Sequence, residues 1–190
     1  MLNKEEEAYL AAKYGRTGLG AKVYSVFKTE DGTLGRINKF IDTRTLEPED
    51  VKDAEIRRDI ARGLARFHAL DVSFKPKVGD GRGFYKVLTQ GLKTYQGSKQ
   101  LKEVGGKTGV NIDELIDYDF ATKVREVIRT LNALSARKGW CIHDMQYGNV
   151  LVRNQPKLGQ SKIVLIDFKF AIRNYRGFDI GGHFMQKIFK

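Results

Sequence analysis

At 190 residues the chain is sized for one domain, or one and a fraction, and its 41% apolar composition is enough for a real core. No run approaches the roughly eighteen consecutive apolar residues of a membrane helix. The N-terminal M-L-N-K-E-E-E is too charged for a signal peptide, and the lone Cys141 excludes an internal disulfide framework, so a cytoplasmic protein without a membrane span is expected. The net charge of +11 suits a nucleic acid, an anionic membrane surface or a polyphosphate ligand, or is simply a solvated basic surface. Its Lys and Arg are scattered, with no dense block and no interleaved aromatic-basic motif, so no nucleic-acid partner is expected.

Asn3 to Tyr14 reads as a helix, its three early glutamates suiting the positive N-terminal end. Gly15, Gly18 and Gly20 break it, and G-R-T-G-L-G lacks the strand and third glycine of a dinucleotide fingerprint. Val23 to Lys28 and Leu34 to Ile41 read as two strands around the hairpin signal Asp31-Gly32. Pro48 is expected to open a helix running to about Leu70. Val51, Ile56, Ile60, Leu64, Phe67 and Leu70 form its apolar stripe. His68 beside that stripe is expected to be a packed core or boundary histidine rather than a ligand.

Asp71 to Gly109 is rich in Gly and Lys, with an amphipathic piece near Tyr85 to Tyr95. G-G-K-T at Gly105 to Thr108 is not a phosphate-binding loop, because Leu101 stands where that motif needs glycine. A flexible loop is expected there. Ile112 to Ala136 reads as the strongest helix, ended by Gly139 as a C-cap.

Trp140 to Asp167 carries the chemistry. It places Asp144, Asn149 and Asp167 in order, the first two five residues apart on a segment too short and polar for a helix. Val150 to Val152 and Lys162 to Ile166 read as two strands joined by the turn residues Asn154 to Ser161. A hairpin would return Asp167 beside Asn149, with Asp144 just upstream. Phosphoryl transfer needs such a set: one carboxylate to orient a hydroxyl and take its proton, and an amide oxygen and second carboxylate to hold Mg²⁺. D-M-Q-Y-G-N followed by D-F resembles the catalytic loop and Asp-Phe dipeptide of protein kinases.

I-D-F-x-x-A-x-x-N-Y-R-G-F-D-I-G-x-H-F, from Ile166 to Phe184, resembles the signature of choline/ethanolamine kinases, relatives of protein kinases and aminoglycoside phosphotransferases. H-D-M-Q-Y-G-N-V-L is similar to that family's catalytic loop, and weaker similarity runs through F-I-D-T-R-T-L, A-R-F-H and G-A-K-V-Y-S-V-F. The resemblance implies an α+β, protein-kinase-like fold: a partial N-terminal lobe of two strands with the hinge (1–46) and an incomplete, mostly helical C-terminal lobe with a catalytic β-hairpin (47–190). It implies transfer of the γ-phosphoryl group of ATP to the hydroxyl of choline or ethanolamine, with a homodimer as one assembly. Asp144 matches the catalytic base, Asn149 and Asp167 the Mg²⁺ ligands, and Gln146 a polar residue near the phosphates. Asp179 and Arg176 match a buried structural element, with Phe178, Ile180 and Phe184 expected in the core.

The chain departs from the family pattern at Ile142 and His143, where His and Asn are usual, and at Lys169, Phe170, Gln186 and Lys187. Phe170 and Gln186 are the candidate substrate-pocket residues. Lys169, standing for a glutamate, would oppose a cationic substrate unless it points away. The phosphate-covering loop and its strand lysine have no counterpart and are expected before Met1. A catalytically impaired, kinase-like partner of a complete homologue, and another small-molecule kinase, are the other readings, the second opposed by N-Y-R-G-F-D-I-G.

Overall fold

Asn3 starts the first helix with a capping box. Its side chain accepts from the Glu6 amide at 2.8 Å, and the Glu6 carboxylate accepts from the Asn3 amide at 3.0 Å, satisfying donors that a helix start otherwise leaves unpaired. The computed structural model describes residues 2–74 and 81–186. It divides into two units, Met1–Lys77 with Arg137–Lys190, and Val78–Ala136. The architecture is mixed α+β with small antiparallel sheets.

In the first unit, α1 spans Lys4–Gly15, and β1 (Val23–Lys28) pairs with β2 (Leu34–Asn38) as predicted, the second strand ending three residues early. Gly32 turns the hairpin at φ 81°. The helix expected from Pro48 starts later. A single 3-10 turn covers Asp50–Lys52, and α2 runs Ala54–His68 with Asp53 as its N-cap, accepting from the Glu55 amide at 2.7 Å. An aspartate can satisfy that amide; Pro48 cannot.

A short strand the sequence did not announce, β3 (Thr43–Thr45), pairs with β5 (Val150–Arg153), which pairs in turn with β6 (Ile163–Leu165). The register sets Val150 opposite Leu165 and Val152 opposite Ile163, all four buried. Against this sheet lies the apolar stripe of α2, with Ile56, Ile60, Leu64 and Phe67 buried as predicted. Gly63 is where α2 comes nearest: a Cβ there would stand 3.2 Å from a Leu165 methyl. Tyr14, Phe67 and Phe168 meet with ring centroids 4.8–5.4 Å apart. The Tyr14 hydroxyl donates to the Gly63 carbonyl at 3.1 Å, and burial pushes its pKa up.

Gly139 does not cap a helix. It belongs to β4 (Lys138–Cys141), which pairs with β7 (Ile172–Tyr175). A Cβ at Gly139 would lie 2.4 Å from the His68 carbonyl oxygen, so a bare glycine lets the strand pass the end of α2. α7 (Gly177–Met185) follows β7. Two of its apolar residues correct the expectation of a core, Ile180 being 48% and Phe184 58% exposed, while Phe178 is half-buried. Asp179, not an apolar side chain, is the residue α7 buries.

In the second unit α3 spans Gly81–Gln96, covering the amphipathic piece. G-G-K-T is not a loop but the end of α4 (Lys99–Thr108), capped by Ser98 and closed by Gly109 at φ 67°. The long helix expected over Ile112 to Ala136 is two, α5 (Asp113–Asp117) and α6 (Phe120–Ala133). Asp119 makes the break, accepting from the Thr122 amide at 2.9 Å and so starting a new helix. The Gln96 side chain donates to the Leu115 and Tyr118 carbonyls, both at 2.9 Å, joining the end of α3 to the α5–α6 corner.

Candidate active site

The β5–β6 hairpin and the loop before it assemble the three oxygen-bearing residues. The Ile166 amide donates to the Asn149 carbonyl at 3.1 Å, one step beyond the Val150–Leu165 pair. Asp167 therefore leaves β6 beside Asn149, as the hairpin reading expected. Asn149 ends a 3-10 turn, Tyr147–Asn149, and is 7% exposed. Its amide nitrogen donates to the Asp144 carbonyl at 2.9 Å. That bond ties the two ends of D-M-Q-Y-G-N together and leaves the Asn149 side-chain oxygen as its acceptor atom.

Two residues here hold a left-handed backbone, His143 and Asp167, each at φ 60°. Such strain persists where surroundings over-determine it. At His143 the surroundings are Asp179. One carboxylate oxygen accepts from the His143 amide and the other from the Ile142 amide, both at 2.8 Å, the latter also meeting His68 Nε2 at 2.9 Å. His68 is thus a packed, hydrogen-bonded histidine, and Asp179 joins the end of α2, the loop and α7. The buried place expected for Asp179 holds; Arg176 is half-buried, its amide donating to the Arg137 carbonyl at 3.2 Å. The Asn174 side chain donates to His143 Nε2 at 3.1 Å and accepts from the Tyr175 amide at 2.9 Å. Burial holds the His143 pKa below its ordinary value, opposed by the Asp179 charge. Burial also raises the Cys141 thiol well above its ordinary range, so Cys141 is a packed thiol rather than a nucleophile.

The family model for choline/ethanolamine kinase matches residues 1–189. The chain belongs to the choline/ethanolamine kinase family. It is 32% identical over 190 residues to a probable ethanolamine kinase of Arabidopsis thaliana, covering 98% of this chain and 46% of that relative. It is 27% identical over 183 residues to a choline/ethanolamine kinase of Rattus norvegicus, covering 96% and 43%. A solved choline/ethanolamine kinase family protein from Mesorhizobium loti has a similar fold, with a TM-score of 0.61 at 14% identity over 100% of this chain and 56% of that one. The chain thus spans less than half the length of these two curated relatives. Among the described residues no helix is long and apolar enough to cross a membrane.

Two of the residues that set this family member apart, Lys169 and Phe170, follow the hairpin directly. Lys169 places its ammonium 2.8 Å from Asp167 Oδ2 and 5.1 Å from the centre of the Phe170 ring. Its pKa is raised, first by the Asp167 hydrogen bond and further by the charges of Asp167, Asp144 and Glu7. Lys169 is therefore paired with Asp167, one of the candidate site residues. Phe170 is 38% exposed. Gln146 is exposed at the start of the 3-10 turn, and Gln186 is half-buried at the end of α7, on a separate element from the hairpin. Lys187 lies outside the described residues. An amide oxygen on Asn149 and a carboxylate on Asp167 are hard donors that suit Mg²⁺, so the donor types fit that ion. What the sequence reading missed is that Lys169 bonds one of those donors. The signal was in D-F-K-F: a left-handed Asp167 lets a lysine two residues on fold back to it.

Proposed function

We propose that this chain forms the catalytic core of a kinase that moves the γ-phosphoryl group of ATP to the hydroxyl of choline or ethanolamine, a step in phospholipid head-group synthesis. The observation that supports the reading is the hairpin end, where the Ile166 amide bonds the Asn149 carbonyl and the Asn149 side chain bonds the Asp144 carbonyl, keeping the main chain of the candidate cation ligands and candidate base close together. Asp144 would orient the substrate hydroxyl and take its proton as the oxygen attacks phosphorus. Asn149 and Asp167 would hold Mg²⁺, which when bound neutralises charge on the phosphate oxygens. Asp179, by fixing the Ile142 and His143 amides, would keep the loop in the conformation that presents Asp144. Gln146 would face the phosphates, and Phe170 and Gln186 the substrate. Residues 1–46 would form part of an N-terminal lobe of protein-kinase type and 47–190 part of the catalytic lobe. The lone, buried thiol of Cys141 supports a reducing, cytoplasmic setting.

One observation favours a second reading, a kinase-like chain of weakened catalysis that serves as partner to a complete homologue: Lys169 is bonded to Asp167. Coupled ADP release with choline, with ethanolamine and with neither decides between them. The first reading expects alcohol-dependent turnover that Asp144→Asn lowers by about 10²-fold or more, the scale of a lost general base. Turnover unchanged by Asp144→Asn would reject the assigned base. No alcohol-dependent turnover with either substrate would favour the second reading.

A further inference from the structure

We infer that Lys169 is a tethered cation that competes with a divalent metal ion for Asp167, and so sets the metal concentration at which the site fills. The inference rests on the reading of Asn149 and Asp167 as a cation site. Three observations carry it. The ammonium lies 2.8 Å from Asp167 Oδ2, the distance of a charge-assisted hydrogen bond. The same ammonium stands 5.1 Å from the Phe170 ring centre, within cation–π range, so it is held from two sides. The backbone favours the fold-back: Asp167 is left-handed at φ 60°, and the Lys169 carbonyl accepts from the Leu2 amide at 3.0 Å.

A divalent ion and an ammonium cannot both use one carboxylate oxygen at contact distance without strong repulsion. A metal ion taking Oδ2 requires Lys169 to leave that atom, and one taking Oδ1 bears the repulsion of the ammonium across the same carboxylate. The Lys169 side chain is 44% exposed and has space to turn away. The Phe170 face gives the displaced ammonium a second partner. The lysine thus weakens the metal site without abolishing it.

The test uses Mn²⁺ as probe, read by electron paramagnetic resonance on the full chain without nucleotide, so the outcome does not depend on turnover. Lys169→Gln removes the charge and is expected to tighten Mn²⁺ binding about ten-fold, equivalent to about 1.4 kcal/mol. Lys169→Arg keeps a cation and is expected to stay within about two-fold of the parent chain. Asp167→Asn in the Lys169→Gln background is expected to remove the gain. Equal Mn²⁺ affinity in the parent chain and Lys169→Gln, including no binding by either, would overturn the inference. So would a gain in Lys169→Arg as large as in Lys169→Gln, or a gain that survives Asp167→Asn. Circular dichroism on each variant reports that the fold is kept; exposure of the Lys169 side chain makes it tolerant of these changes. If turnover is absent yet Lys169→Gln tightens Mn²⁺, the kinase reading fails while the competition stands. If turnover is present and Mn²⁺ affinity is unmoved, the reverse holds.

Discussion

His143 occupies a place where the family usually has asparagine, and the exchange carries a pH signature. Its Nε2 accepts from the Asn174 amide, which requires an unprotonated nitrogen, and burial lowers its pKa. A basic group with a depressed folded pKa favours the neutral form on folding. Above its ordinary value of 6.5 both states are neutral and the group has no effect. As pH falls through that value the unfolded chain takes up the proton first, so stability drops until the folded histidine also protonates, then levels off. Paired carboxylates such as Asp50, lowered first by its Arg44 hydrogen bond, act in a more acidic window, below their ordinary 3.8. The urea midpoint of the parent chain is expected to fall between about pH 7.5 and 5.5, and that of His143→Asn to fall much less. Equal slopes in the two proteins would assign the dependence elsewhere.

At the scale of elements, the chemistry was legible where local patterns state it. Two short strands, a polar turn and three oxygen-bearing residues in order describe the β5–β6 hairpin and its loop, and the register agrees. Glycines whose reason is remote were not legible. Gly139 looked like a helix stop, but its cause is the His68 carbonyl, 71 positions away in the chain and 2.4 Å from where its Cβ would be. β3 is only T-R-T, and its strand character comes from pairing with β5 rather than from its own residues. The split between α5 and α6 was readable in principle, since Asp119 is a good N-cap, but the apolar periodicity through it concealed the break. Gly139→Ala is expected to force α2 and β4 apart at a backbone contact and to lose about 1–3 kcal/mol of stability by urea denaturation, the usual scale of overpacking. A loss under about 0.5 kcal/mol would mean that the strand end yields freely.

Across the whole molecule, burial is unevenly shared between the two units. The first holds the apolar cluster that includes Leu10, Tyr14, Phe67, Ile142, Ile163 and Leu165. In the second, α5 and α6 bury none of their residues, and α4 buries Leu101 and Gly105. Local opening costs least where few apolar contacts must break. Native-state hydrogen exchange is expected to be slowest in α2, β4 and β6 and about 10²-fold or more faster in α5 and α6. Comparable protection in both units would show a core shared more evenly than the burial implies. The contact between Asp179 and the loop has a further consequence for how the chain is made. The loop amides at Ile142 and His143 leave the ribosome before their acceptor, which lies 37 residues after Ile142. At translation speeds of about 5–20 residues per second, that gap is on the order of 2–7 s. For those seconds the nascent loop has no carboxylate to hold it, and it takes its final form only once α7 emerges.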